Sequence, residues 1–324
     1  MVQHVTVVGA GLAGLAATRR LLAAGLAVDV VDKGRGVGGR LATRRMDGAR
    51  LDHGVQFLPS GDGPEASVFA ALLDEAEAAG VVDRRAAGAV CPGGMTGLAK
   101  WLADQARAAG ASVTTDRRIS SVSVGDGRWR LVDTDGVSAD TDAIVLTPPV
   151  PQILELLDAG DVVLDADLAG PLAQVTYRPT VGLLLVLDGP PALSTTGFVE
   201  PDDGPLAMVV DNGWKGVSER PALTVHADAS TSSRRWDDDP DSVTADLLAA
   251  AAPWIGTAGV VAAQLKKWRY AVVDHSEFDT PVAAATDPGP LVLAGDAFGR
   301  PDAAGAWASG LAAAEPVIDA KDGV

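Results

Sequence analysis

Cysteine is almost absent from this 324-residue chain, where Cys91 stands alone. A single thiol closes no intrachain disulfide and builds no cysteine metal cluster. Histidine is as sparse, and His4, His53, His226 and His275 show no metal-ligand spacing. Basic residues are outnumbered, with 26 Lys and Arg against 43 Asp and Glu and a net charge of −17. Nucleic acid and anionic membranes both call for clustered cations, so neither is expected as a partner. The acidity reads as a solvated surface. Long apolar runs are missing too: the longest, such as Val181 to Leu187, are strand-length and far short of the ~20 residues a membrane span needs. The apolar amino end carries Arg19 and Arg20 after its apolar stretch and is interrupted by glycines, unlike a signal peptide. The cytoplasm is the expected location.

What is present describes a globular chain, with 47% hydrophobic and 21% charged residues. Val5 to Val8 reads as a buried strand, followed by a glycine turn, a helix over Leu12 to Ala24 and a strand over Ala27 to Val31. Helical composition returns over Ala66–Ala79 and Thr96–Ala109, each with glycine just beyond. Strands are expected at Ser112–Asp116, Arg118–Val124, Trp129–Asp133 and Ala143–Leu146, then at Val175–Leu187, Leu206–Val210, Ala222–Ala227 and Val260–Tyr270. A helix is expected near Asp241–Ala251, a buried strand at Leu291–Ala294, and a last helix from about Gly305.

The turn after the first strand is Gly9-Ala10-Gly11-Leu12-Ala13-Gly14. In such a turn the first glycine permits the bend and the second lets backbone amides approach a pyrophosphate. The third lets the helix pack on the strand. The helix N-terminus then faces the phosphates with its positive dipole end. Asp32, at the end of the second strand, is placed to accept from ribose hydroxyls. A second glycine-rich loop, Lys33-Gly34-Arg35-Gly36-Val37-Gly38-Gly39-Arg40, continues along the pyrophosphate, and Arg40 offers a bidentate donor. Near the other end Gly295-Asp296 follows a buried strand, where a carboxylate can hold a ribityl chain. Gly305 to Gly310 opens a helix that is either aimed at a flavin ring or packed closely through its small residues.

These motifs, with Asp52-His53-Gly54-Val55-Gln56-Phe57, resemble the flavin amine oxidase superfamily. The order Lys33 through Arg45, Asp52-His53-Gly54, Lys267-Trp268-Arg269-Tyr270-Ala271 and Gly305-Ala306-Trp307 resembles its bacterial renalase branch, as do Tyr177-Arg178-Pro179 and Val225-His226-Ala227. The resemblance implies an α/β fold: a Rossmann-type (GR2-like) FAD-binding domain with an inserted strand-rich α+β substrate domain. The expected division is 1–60, 92–150 and 288–324 for the first, with 61–91 and 151–287 for the second. FAD is implied as a non-covalent cofactor. The glycine turn (Gly9 to Gly14), Asp32, Lys33, Gly39 and Arg40 would hold adenosine and pyrophosphate, with Ile119 at the adenine. Gly54, Val55, Gln56 and Phe57 would lie against the isoalloxazine, and Gly295, Asp296, Ala303, Gly305 and Ala306 would complete the site. The chain departs from the branch at Phe57-Leu58-Pro59, at Ala304 where a glutamate is common, and in a short Asp83–Cys91 region, all expected near the flavin face.

Renalase-like enzymes oxidise the 2- and 6-dihydro isomers of NAD(P)H, and dioxygen takes the electrons to give hydrogen peroxide. Hydride loss from a dihydropyridine leaves an aromatic cation and needs no strong base, and no convincing base stands in this sequence. An amine oxidase would hold a neutral amine between aromatic walls, which 4% aromatic content disfavours. An aromatic hydroxylase would carry Ala-His and paired prolines after Gly-Asp, where Ala297-Phe298-Gly299-Arg300 stands. A non-enzymatic member, as in Rab GDP-dissociation inhibitors, is opposed by the intact glycines. His53 reads as a packed turn rather than a base, and Cys91 as a small buried residue. His226, Trp268 and Tyr270 are candidates for the substrate pocket, with core packing the alternative for each.

Overall fold

A computed structural model describes residues 1–323. From the amino end, β1 (His4–Val8), α1 (Leu12–Ala23) and β2 (Ala27–Val31) make the expected βαβ opening. A hairpin of β3 (Thr43–Met46) and β4 (Ala49–Asp52) follows, then α2 (Pro64–Ala78). A short hairpin, β5 (Asp83–Arg85) and β6 (Gly88–Val90), leads to α3 (Thr96–Ala108). Next come β7 (Ser112–Thr114), β8 (Ile119–Gly125), β9 (Arg128–Asp133), β10 (Ser138–Thr141) and β11 (Ala143–Leu146). Helices α4 (Val150–Asp158) and α5 (Ala166–Gln174) precede β12 (Thr176–Leu187), β13 (Phe198–Val199), β14 (Leu206–Asp211) and β15 (Ala222–Ala227). After α6 (Ala229–Arg234) and α7 (Pro240–Ile255) runs the long β16 (Val260–His275). The chain returns through β17 (Val282–Ala285) and β18 (Leu291–Leu293) to α8 (Ala303–Ala313) and α9 (Glu315–Asp322).

The central sheet has the order β17-β18-β11-β1-β2-β7, parallel except for the edge strand β17. Its strands are apolar on both faces because both are covered. In β11, Ala143 and Val145 join the core under α1, α2, α3 and α8, while Ile144 and Leu146 join the core under β8, β9, α4 and α5. Helix α8 lies directly on α1, since a Cβ at Gly310 would stand 2.0 Å from the Ala13 carbonyl oxygen.

The second sheet, β13-β14-β15-β12-β16, is antiparallel. Along β12, Val181, Leu183, Leu185 and Leu187 pack against α7, while Leu184 and Val186 pack against Leu51 and Ala49 of the β3–β4 hairpin. Two expectations need correcting. Segment 61–91 belongs to the core of the first sheet: Phe69, Leu72, Leu73 and Ala76 of α2 pack with α1, α3 and α8. Strand β16 runs five residues beyond Tyr270, because β12 extends to pair with it at Tyr177 and Thr176 across a register shift. Among the described residues no helix is long and apolar enough to cross a membrane.

Candidate functional site

One cavity of about 1150 Å³ runs between the two sheets, from the end of α1 to β16. It exceeds the ~300–1,000 Å³ usual for small-molecule pockets. At one end the chain leaves β1 through Gly9 (φ +106) and enters α1 at Gly11, which no side chain caps. The first amides of α1 therefore face the cavity, whose wall includes Gly9, Gly11, Leu12 and Ala13. A Cβ at Gly11 would meet nothing within 4 Å, so backbone itself forms the wall there. Asp32 closes this corner: its Oδ2 accepts from the Ala10 amide and its Oδ1 from the Gly34 amide, each at 2.6 Å. Lys33 and Ile119 line the same region, and the Lys33 ammonium donates to Gln152 Oε1 at 2.8 Å.

Gly39 and Arg40 follow along the wall. Arg40 is bidentate to Asp296, at 2.7 and 2.6 Å, and also donates to the Ala271 carbonyl at 3.1 Å. Burial works against its charge, but Asp296 outweighs burial and raises the Arg40 pKa. The pairing ties the glycine-rich loop, the end of β18 and β16 together at mid-cavity. Gly295, Asp296, Ala303 and Ala306 complete this part.

At the other end Gly54, Val55, Gln56 and Phe57 form one wall and His226, Trp268 and Tyr270 another. The Trp268 ring stacks on His53 (5.4 Å, 21°) and donates from Nε1 to the His53 carbonyl at 2.7 Å. Tyr270 meets Tyr177 edge-on at 5.4 Å. The even residues Gln264, Lys266, Trp268 and Tyr270 share one face of β16, as strand alternation requires. Burial, followed by the charges of Lys266 and Arg44, lowers the His53 pKa to about 4. Burial, then Lys215 and His53, brings His226 to about 4. Both imidazoles are neutral at ordinary pH.

Three expected site residues stand behind the wall rather than on it. Ala10 is fully buried and reaches the site only through its amide on Asp32. Gly14 faces the β1 turn, where a Cβ would stand 1.9 Å from the Gly9 carbonyl oxygen. Gly305 is pressed on Arg300, with only 1.8 Å from its Cβ position to that carbonyl oxygen, so close packing accounts for it. Ala304 and Leu58, expected near the flavin face, are core residues instead, and only Phe57 and Pro59 of that triplet meet the cavity. His53 is not on the cavity wall but stacks on Trp268, which is. Cys91 is fully buried, and burial pushes its thiol up to about 12.

A buried polar network beneath Gly54–Phe57 escapes sequence reasoning. Lys215 and Asp52 have fully buried side chains and pair at 2.7 Å. Lys215 also donates to Gln56 Oε1 at 3.2 Å, while Gln56 Nε2 donates to the carbonyls of Asp52 and Gly54. Asp52 accepts from Thr43 Oγ1 and the Met95 amide on its other oxygen. Burial pushes the Lys215 pKa down, and the Asp52 charge opposes that. Lys215 sits in Asn212-Gly213-Trp214-Lys215-Gly216, a composition that looks like a solvated turn.

Comparison with known proteins fits this geometry. Residues 7–75 match the NAD(P)-binding Rossmann-like domain, and residues 81–318 match the flavin containing amine oxidoreductase family. The second match covers most of the chain, which therefore belongs to the flavin containing amine oxidoreductase family. Putrescine oxidase of Kocuria rosea is 45% identical over 73 residues, and phytoene dehydrogenase of Streptomyces griseus is 48% identical over 71. Each alignment covers 22% of this chain and only 14% of the relative. Among solved structures, a putative protoporphyrinogen oxidase from Exiguobacterium sp. 255-15 has a TM-score of 0.68 at 15% identity, with 98% of each chain covered. Putrescine oxidase bound to putrescine has 0.70 at 15%, covering 98% of this chain and 99% of that one. At such identities the likeness is one of fold.

That family is one of flavin-containing oxidoreductases, and FAD is the cofactor it implies for this chain. Its cavity suits the cofactor on three counts: its volume, the uncapped α1 terminus beside an unobstructed Gly11, and the Asp32 corner. Among the described residues no group of three His, Cys, Asp or Glu could hold a metal ion.

Proposed function

We propose that this enzyme is a renalase-like oxidase that returns 2- and 6-dihydro isomers of NAD(P)H to the oxidised nucleotide. In this reading Gly11, Leu12, Ala13, Asp32, Lys33 and Arg40 hold the adenosine and pyrophosphate of FAD. Gly54 to Phe57 would lie against its ring, and Asp296, Ala303 and Ala306 would take the ribityl side. FAD bound there would supply the hydride-accepting chemistry, with dioxygen as final acceptor and hydrogen peroxide as product.

The observation that carries the reading is the protonation state of the substrate end. His53 and His226 are neutral with pKa values near 4, held there by burial and by flanking cations. Neither is poised as a base near neutral pH. Loss of hydride from a dihydropyridine requires no base, because it leaves an aromatic cation. Oxidation of an amine requires a neutral amine, and a cationic surround does not help bind the protonated amine that prevails in solution. Trp268, Tyr270 and Phe57 supply flat walls for a nicotinamide ring, and the protein's part is to place one ring carbon ~3–3.5 Å from the acceptor. The order of motifs from Lys33 to Trp307 supports the same reading.

A second reading has one observation in its favour. Glu200 lines the cavity near Phe57 and Met208, and a carboxylate there could take an ammonium group, as an oxidase of small amines would require. Anaerobic mixing separates the two. The renalase reading expects rapid bleaching of the flavin by 2- and 6-dihydro-NAD(P), slow bleaching by the 4-dihydro form and none by putrescine. Equal reduction by all three isomers, or by none, refutes it, and bleaching by putrescine alone moves the assignment to the amine.

A further inference from the structure

Buried polar atoms without a partner are rare in proteins, and where they collect they point to something that satisfies them. Among the described residues there are four: Arg44 Nε, His53 Nδ1, His226 Nε2 and Gln264 Oε1. All four lie in one place, between the β3–β4 hairpin and the facing side of the second sheet. Register shows why. One row across that sheet is Met208, His226, Gly182, Lys266, and the next on the same face is Val210, Thr224, Leu184, Gln264. Leu184 packs against Leu51, and Arg44 is the strand partner of Leu51, so Arg44 points at these rows. At Gly182, between His226 and Lys266, the imidazole lies over the backbone, its Cδ2 3.3 Å from where a Cβ would stand.

The charge in this place is one-sided. Among the described residues neither Arg44, Lys266 nor Arg35 makes an ion pair, although acids outnumber bases in the chain. The carboxylate that acts on His53, Asp52, is committed to Lys215. Burial, then the charges of Arg44 and Arg35, lowers the Lys266 pKa, so each arginine acts on Lys266. Uncompensated cations beside the orphaned Arg44 Nε donor form a site for an anion, while Gln264 Oε1, an acceptor, needs a donor from the ligand or from water. It adjoins the cavity through His226 and Trp268, both of which line the cavity wall.

We propose that Arg44 and Lys266, with Arg35 at the rim, bind the phosphate-bearing tail of a nucleotide substrate whose redox ring occupies the neighbouring cavity. The inference rests on the dihydronicotinamide reading and adds to it the residues that select an anionic substrate over a cationic amine. His53 and His226, neutral, satisfy their open nitrogens on the same ligand or on water it orders.

The test is a titration of the FAD-loaded enzyme with ADP-ribose, which carries the anionic tail and no redox ring, followed by calorimetry. Wild type binds it. Arg44→Gln and Lys266→Met each weaken binding about tenfold or more, the scale of one charge-assisted hydrogen bond, and the double variant weakens it further. Arg45→Gln, on the exposed opposite face of β3, leaves binding unchanged. Lys266 is partly exposed, so K266M alone carries the test should R44Q not fold. No binding by wild type, an unaffected double variant, or an equal loss in R45Q overturns the subsite. If binding depends on Arg44 and Lys266 while no dihydronicotinamide bleaches the flavin, the subsite stands and the redox reading falls. If the isomers bleach the flavin while ADP-ribose binding ignores both residues, only the subsite falls.

Discussion

Replacing Lys215 by methionine tests the buried network under Gly54–Phe57 most directly. The side chains of Lys215 and Asp52 are both fully buried and 2.7 Å apart. In Lys215→Met the Asp52 carboxylate keeps Thr43 and the Met95 amide on one oxygen and loses its cation on the other. An uncompensated buried charge costs about 3–5 kcal/mol, a large part of the ~5–15 kcal/mol that holds a typical protein folded. At about 2 °C per kcal/mol for a chain this long, the melting temperature should fall by roughly 6–10 °C. Adding Asp52→Asn should recover most of the loss, since removing both charges is often close to neutral. Urea denaturation of the four proteins at one saturating FAD concentration measures this, with cofactor linkage held fixed. A K215M loss below about 1 kcal/mol, or single losses that simply add in the double variant, would refute the idea of a coupled pair.

Three further outcomes follow from the same structure. Gly11→Val should fold, since its Cβ direction is open, yet retain no FAD; Gly14→Ala should instead lose stability through the 1.9 Å clash with Gly9. A yellow G11V protein would contradict the first half, and a G14A protein of unchanged melting temperature the second. For His53 and His226, folded pKa values near 4 lie below the ordinary 6.5, so the unfolded chain binds protons first as pH drops. Stability should therefore fall between about pH 6.5 and 4, by up to ~3 kcal/mol per histidine, and His226→Gln should remove its share; equal slopes in both proteins would speak against it. Acid precipitation should release free FAD, because Cys91 is buried and protonated, with its thiol near 12; flavin left in the pellet would disprove this.

Much of the scaffold is legible because its signals are local. Ala143–Leu146 is a short apolar run bounded by polar residues, and a parallel strand covered on both faces must look like that. The β3–β4 hairpin carries a signal as well: Asp47-Gly48, both at positive φ, is the turn that two-residue hairpins favour. Helix α4 is harder to see, since Pro149 and Pro151 look like breakers, yet Pro151 falls in the first turn where its missing N–H is no loss. The site is less legible than the fold. Lys215 and Asp52 are 163 positions apart, and nothing near either says that they meet. Arg44 and Lys266 come together only through the register of β12 with β15 and β16 and the seat of the hairpin on that sheet. The place of α2 follows from what its apolar face meets, and composition is silent on that.

The seat of Gly310 on Ala13 bears on how the molecule is made. Helix α1 emerges from the ribosome well before α8, which covers it. Until then β11 lacks its neighbour β18, and Leu15 and Ala16 of α1 lack Trp307 of α8. A partly synthesised chain thus carries an open strand edge beside an uncovered apolar helix, the two features that invite misassembly. The mid-cavity wall of Gly295, Asp296, Ala303 and Ala306 is added only then, so a chain stalled near residue 290 should be unable to hold FAD and should be a client for chaperones.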